Sequence, residues 1–134
     1  VSSTSPPLIN LEVKAFTGAD VAGAVVHRVM VAEAITKFGL QPREAVNYLK
    51  THPDAVKQLQ WYKTVPSEIA QARVHILDVT YRELHVSKKY RADYGLLTAD
   101  SIILAVMERH RLIHLVTNDR DFERVPGIRV WMPR

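Results

Sequence analysis

The chain has 134 residues, 47% of them hydrophobic, with no cysteine and a formal net charge of +4. That length and apolar content suit one ordinary globular domain with a real core, and the missing cysteines exclude disulfides and thiol chemistry and sit comfortably with a cytoplasmic protein. No apolar run approaches the roughly 18 residues of a membrane span and no basic-then-apolar leader is present, so no membrane partner is expected, while the positive charge favours a polyanion such as RNA or an acidic protein segment.

Residues 1–12, V-S-S-T-S-P-P-L-I-N-L-E, are rich in Ser and Pro and read as an irregular lead-in. Val13 to Thr17 predicts a short strand, and Gly18 with Asp20 a helix start. From there to Phe38 apolar residues recur at helical spacing. Val21, Val25, Val29 and Ala32 form one stripe and Val26, Met30 and Ala34 lie beside it, until Gly39 stops the helix. Pro42 suits a first helical position, so Pro42 to about Lys50 predicts a second helix with Val46 and Leu49 inward. Asp54 to Tyr62 predicts a further short helix, and Pro66 with Ser67 a break. Val74 to Val79 is a β-branched run of strand length. Tyr81 to about Ala92 reads as a polar amphipathic helix whose Lys88, Lys89 and Arg91 form a solvated face.

Gly95 ends that helix, and Thr98 is a good N-cap for the next. Ser101 to Arg109 carries Ile102, Ile103, Ala105 and Val106 as a broad apolar face. Leu112 to Thr117 is nearly continuous in apolar residues, as in a strand covered by helices on both sides. I-R-V-W-M, after Pro126 and Gly127, closes the chain as a strand. Helices alternating with buried strands give an α/β fold, a helix/sheet/helix sandwich on a mostly parallel sheet, in one domain spanning 1–134.

Asp100 falls in the first turn of a helix, and Asp119 and Asp121 follow the carboxyl end of the next strand. The helix returns the chain to the opposite edge before the strand comes back, so both positions lie at one edge. In an open parallel sheet that is where ligands bind. Taken singly, Asp100 could serve only the helix dipole, worth about 0.3–1 kcal/mol, and the other two could be turn residues. Together they form an electronegative pocket whose oxygen donors, with no cysteine and little histidine nearby, suit Mg²⁺ or Mn²⁺ rather than zinc. His27, His75, His110 and His114 make no H-E-x-x-H pair, and neither a phosphate-binding glycine loop nor a G-x-S-x-G elbow is present. Met30, Trp61, Tyr62 and Trp131 read as core or partner-facing rather than base-stacking.

The stretch Y-G-L-L-T-A-D-S-I-I-L-A-V-M, followed by L-V-T-N-D-R-D-F-E-R-V-P-G-I, resembles the C-terminal half of PIN domains, in particular VapC-type toxins of prokaryotic toxin–antitoxin pairs. The similarity extends upstream through A-V-V-H-R-V-M-V-A-E-A-I and F-G-L-Q-P-R-E-A-V-N-Y-L-K. The resemblance implies a divalent-metal-dependent endoribonuclease with Asp100 and Asp119 catalytic and Asp100, Asp119 and Asp121 holding Mg²⁺ or Mn²⁺. It also implies an RNA substrate, a cognate antitoxin and a homodimer.

Two positions depart from the family pattern. The family's opening strand ends in an Asp-Thr-Asn/Ser motif that nothing here supplies, Ser3-Thr4-Ser5 carrying no carboxylate, so that strand reads as missing or altered. A further acidic residue is expected where Ala24 stands. Glu33 lies about half a turn round from Ala24 and roughly 13 Å along the axis, so the two positions cannot face one metal, and Asp20 is the better-placed local substitute. The alternative expectation is a non-catalytic PIN-fold module that binds an antitoxin or RNA without cutting.

Overall fold

Two glycines bracket the first long helix of the computed structural model, which describes residues 14–133. Strand β1 (Ala15–Gly18) runs straight into α1 (Ala19–Phe38). Gly39 closes the helix at φ 64°, a left-handed conformation that suits a residue without Cβ, and its N–H donates to the Ile35 carbonyl. Prolines open the helices that follow. Pro42 starts α2 (Pro42–Thr51), Pro53 starts α3 (Pro53–Lys57), and Pro66 lies in the first turn of α4 (Val65–Gln71), after a 3-10 turn at Trp61–Thr64. A proline there has its φ already set, and the N–H it lacks would have had no partner. Pro66 therefore belongs to a helix rather than breaking one, and 54–62 is a short helix followed by a separate turn. Strand β2 (Val74–Leu77) pairs with β1 and stops short of Val79.

The chain forms two compact units, one up to Ile76 and one from Leu77. Among the described residues of the first, the buried apolar side chains are Ala34, Ala45, Ala55, Leu59 and Val65. Val25 and Val46, expected inward, are exposed. The shorter Ala34 and Ala45 take the buried positions of α1 and α2, while these longer valines lie at the surface.

In the second unit the helix expected over 81–92 is two: α5 (Tyr81–Val86) and α6 (Lys88–Tyr94). The interruption falls at buried Ser87, whose hydroxyl donates to the Leu84 carbonyl at 2.6 Å, an alternative to the helical ladder. Thr80 caps α5 through a capping box with Glu83. Glu83 is only 1% exposed. Burial pulls its carboxyl upward, but hydrogen bonds from the Thr80 N–H and hydroxyl and the Arg109 guanidinium at 3.2 Å hold it below the usual range.

Helix α7 (Thr98–Arg109), β3 (His114–Val116), a 3-10 turn at Arg120–Arg124 and β4 (Arg129–Trp131) complete the chain. Strands β3 and β4 are parallel, with Leu115 opposite Val130. Leu96, Leu104, Met107, Phe122 and Val125 form the core, and Leu112, Leu115, Ile128 and Val130 pack against it. Alternation along β3 turns Leu115 inward and leaves Val116 69% exposed. Among the described residues this apolar strand is thus covered on one face, where the sequence reads as two. The α/β class and the parallel pairing are those read from the sequence. The lead-in and the Ser3-Thr4-Ser5 segment lie outside the described residues.

Candidate metal centre

Asp100 stands in the first turn of α7, which begins at Thr98 with Leu97 as N-cap, one residue earlier than the threonine cap expected. Ser101 fixes that turn: its N–H donates to the Leu97 carbonyl and its buried hydroxyl to the Thr98 carbonyl at 2.7 Å. The other two carboxylates come from the chain beyond β3. The Thr117 N–H still pairs with the Trp131 carbonyl at 3.0 Å, and the Thr117 hydroxyl then accepts the Asp119 N–H at 3.1 Å. Asp119 caps the 3-10 turn, its carboxylate accepting the Asp121 N–H at 2.8 Å. Phe122, 2% exposed, anchors the same turn in the core. Three ordinary local devices therefore aim Asp119 and Asp121: a strand end, a capping carboxylate and a buried aromatic.

Asp100, Asp119 and Asp121 each offer a carboxylate oxygen, and the three atoms lie within 4.8 Å of one another. This brings together the residues that the sequence nominates, and it does so within one unit. The Asp100 carboxyl is held above its ordinary range by burial, then by the charge of Asp119 and a hydrogen bond to it, then by the charge of Asp121. A helix N-terminus would favour the ionised form; here neighbouring negative charge and desolvation outweigh it. All the donors are hard oxygens, and the cluster carries negative charge that a divalent cation would relieve, so the residues fit Mg²⁺ or Mn²⁺.

The other nominated carboxylates belong to the first unit. Asp20 is exposed in the first turn of α1. Glu33 is buried, 4% exposed, and its carboxylate accepts the backbone N–H groups of Gln60 at 2.7 Å and Trp61 at 2.9 Å. Ala24 lies on the exposed side of the helix that buries Glu33. The supposed solvated face of α6 is mixed. Lys88 and Lys89 are exposed and Lys89 pairs with Glu108, whereas Arg91 is half-buried and donates to Ser87 and Ser101 at 2.8 and 2.9 Å. The residue that sequence reasoning missed is Arg124, which pairs with Asp121 at 3.2 Å. Its signal was the opposite charge three positions on, a spacing that meets on one side of a helical turn.

The family description PIN domain matches residues 14–128. Ribonuclease VapC6 of Methanocaldococcus jannaschii is 32% identical over 85 residues, which cover 58% of this chain and 56% of that protein. The chain thus spans little more than half the length of this curated relative. A solved structure, a toxin-antitoxin complex from Klebsiella pneumoniae, is 24% identical over 73% of this chain and 91% of that one, with a TM-score of 0.42.

Proposed function

The chain belongs to the PIN domain family, and on that premise we propose that it is a divalent-metal-dependent endoribonuclease toxin that hydrolyses RNA phosphodiester bonds. The observation that carries the reading is the approach of the Asp100, Asp119 and Asp121 carboxylates to within 4.8 Å. Asp100 and Asp119 are assigned the catalytic role, and Asp121 joins them in holding Mg²⁺ or Mn²⁺. When bound, the cation supplies a Lewis acid for phosphoryl oxygen and makes water a better nucleophile at neutral pH.

The chain's own residues do the positioning. The Asp121 N–H and Thr117 hydroxyl fix the Asp119 segment, and the first turn of α7 fixes Asp100. Ribonuclease VapC6, by its name, acts on RNA, and the +4 charge of this chain suits the same polyanion. The reading carries with it a cognate antitoxin as partner, a homodimer, a cytoplasmic location and one PIN-like domain. Trp61 of the 3-10 turn, 51% exposed, is an apolar contact residue for either protein partner.

A second reading rests on Ala24, which stands on α1 where the family pattern calls for a carboxylate. With a ligand fewer, the cation is held less firmly and aimed less well. The protein is then a module that binds antitoxin or RNA and cuts slowly or not at all.

The test is melting with and without Mn²⁺, paired with cleavage of a structured RNA. Mn²⁺ binding only to the folded state raises the melting temperature by mass action, and Asp100→Asn and Asp119→Asn should each lose most of that rise. An unchanged rise in both variants would put the cation elsewhere and sink the assignment. Metal-dependent cutting by the wild type, abolished by Asp100→Asn, would favour the enzyme; Mn²⁺ binding without cutting would favour the module.

A further inference from the structure

The Arg124 guanidinium reaches two segments at once. Its Nη1 donates to the carbonyl oxygens of Tyr94 at 3.5 Å and Gly95 at 3.2 Å, and its Nη2 donates to Asp121 Oδ1 at 3.2 Å. Both carbonyls lie at the end of α6, where a helix leaves its last C=O groups without intrahelical donors and where its dipole favours a cation. Gly95 sits at φ 68° as the C-cap, and only Leu96 and Leu97 separate it from α7, whose first turn carries Asp100. Arg124 itself ends the 3-10 turn that contains Asp121 and is capped by Asp119. Phe122 and Val125 hold this turn from the core side. Arg124 holds it from the half-exposed side, and its planar fork joins the two stretches of chain that supply the three carboxylates.

We propose that Arg124 is a positioning residue of the carboxylate centre: it ties the turn bearing Asp119 and Asp121 to the α6–α7 connection ahead of Asp100, keeping all three within reach of one cation. The inference rests on the metal-site reading above. Its cation also offsets part of the cluster's negative charge, so the carboxylates stay close when no divalent ion is bound. A lysine cannot replace it, because a point charge on a flexible stem does not span the separated acceptors that a rigid fork does.

Mn²⁺ affinity, read from the free-ion signal in electron paramagnetic resonance, provides the test on the whole chain. Arg124→Ala should weaken Mn²⁺ binding about tenfold, the low end of what residues that orient metal ligands contribute, and Arg124→Lys should recover only part of it. In an Asp121→Asn background the same Arg124→Ala change should have a smaller effect, since the fork has lost one of its holds. Arg109→Ala, which breaks the pair with buried Glu83, should lower the melting temperature and leave Mn²⁺ affinity at the wild-type value. That separates positioning from general stability.

Wild-type affinity in Arg124→Ala, with Asp119→Asn still abolishing binding, would overturn the role of Arg124 and leave the metal site standing. Tighter binding in Arg124→Ala would make Arg124 a competitor and overturn it equally. No Mn²⁺ binding by the wild type, or unchanged binding by Asp119→Asn, would overturn the site and the inference with it. If Arg124→Ala does not fold, Arg124→Lys carries the test, and wild-type affinity there overturns the proposal.

Discussion

Among the described residues up to Ile76 the buried apolar side chains are three alanines, a leucine and a valine; from Leu77 onward the core holds Leu96, Leu104, Met107, Phe122 and Val125. Each unit also buries a glutamate. Glu33 is answered by two backbone N–H groups, and Glu83 by Thr80 and Arg109. A buried carboxylate with its donors in place serves as structure. The aspartates at 100, 119 and 121 are different: three carboxylates gather within 4.8 Å of one another, with Arg124 beside Asp121 and the Asp121 N–H on Asp119 as their partners. Buried polar groups that are paired stabilise a fold, while like charges gathered at a rim ask for something from outside. The core around Phe122 supports the second arrangement, since holding three mutually repelling groups together needs packing that does not yield.

Phe122→Ala tests that dependence and has the largest expected effect. The ring is 2% exposed and belongs to the core, so its loss should cost about 3–5 kcal/mol in urea unfolding. The same turn carries Asp121 and is capped by Asp119, so the Mn²⁺-induced rise in melting temperature should shrink in whatever folded protein remains. A variant that loses stability and keeps the full rise would show that the core does not brace the carboxylates.

Glu33→Ala probes the other unit and should have the next largest effect. It strands the N–H groups of Gln60 and Trp61, and hydrogen bonds to a charged group are worth about 1.5–3 kcal/mol each in mutational series, so a loss of roughly 2 kcal/mol is expected after partial rehydration. Glu33→Gln retains an acceptor oxygen and should lose less. Equal losses in the two variants would mean that the acceptor geometry is not what Glu33 contributes.

How much of this was legible in the sequence follows the same division. Asp100 and the 119/121 pair were readable because a helix start and the following strand's end share an edge in α/β folds, a relation fixed by chain direction alone. Their approach needed more than topology: the Asp119 cap and the burial of Phe122 convert an unmarked turn into a 3-10 turn with fixed direction. The helix starting at Pro42 is legible from proline chemistry, yet the next, read from Asp54, starts at Pro53, and Pro66 misled because the same residue that breaks a helix interior also opens one. Ser87 hid the split between α5 and α6, since a serine at mid-helix spacing gives no sign of whether its hydroxyl will take a backbone carbonyl. The inward faces of α1 and α2 were misjudged for a related reason. Periodicity marks the apolar stripe but does not say that Ala34 and Ala45, rather than Val25 and Val46, are the residues buried.

The smallest effect, and the one that separates the two kinds of carboxylate most cleanly, is the pH dependence. Asp100 is held above its usual value by burial first and by Asp119 and Asp121 after it. Its folded state therefore binds the proton more tightly than the unfolded chain does. In the window between the ordinary aspartate value and that raised one, stability falls as pH rises, and the penalty is complete above it. Without divalent cations, Asp100→Asn should thus be slightly more stable than the wild type at pH 7. The gain should be no more than about 1 kcal/mol, because solvent screens a partly exposed group. The advantage should fade as the pH is lowered through the window. Glu83 has the opposite sign: its folded value is depressed, so its contribution is present above the ordinary glutamate value and is lost as pH falls through the lower one. Thermal melts of wild type, Asp100→Asn and Glu83→Gln across pH 3 to 7 in chelator, repeated with Mn²⁺, read both signs at once. Mn²⁺ should reverse the Asp100→Asn advantage at pH 7 by supplying the charge that the cluster lacks, and it should leave the Glu83 profile alone. An Asp100→Asn variant no more stable than wild type in chelator would mean that the three carboxylates do not strain one another enough to attract a cation.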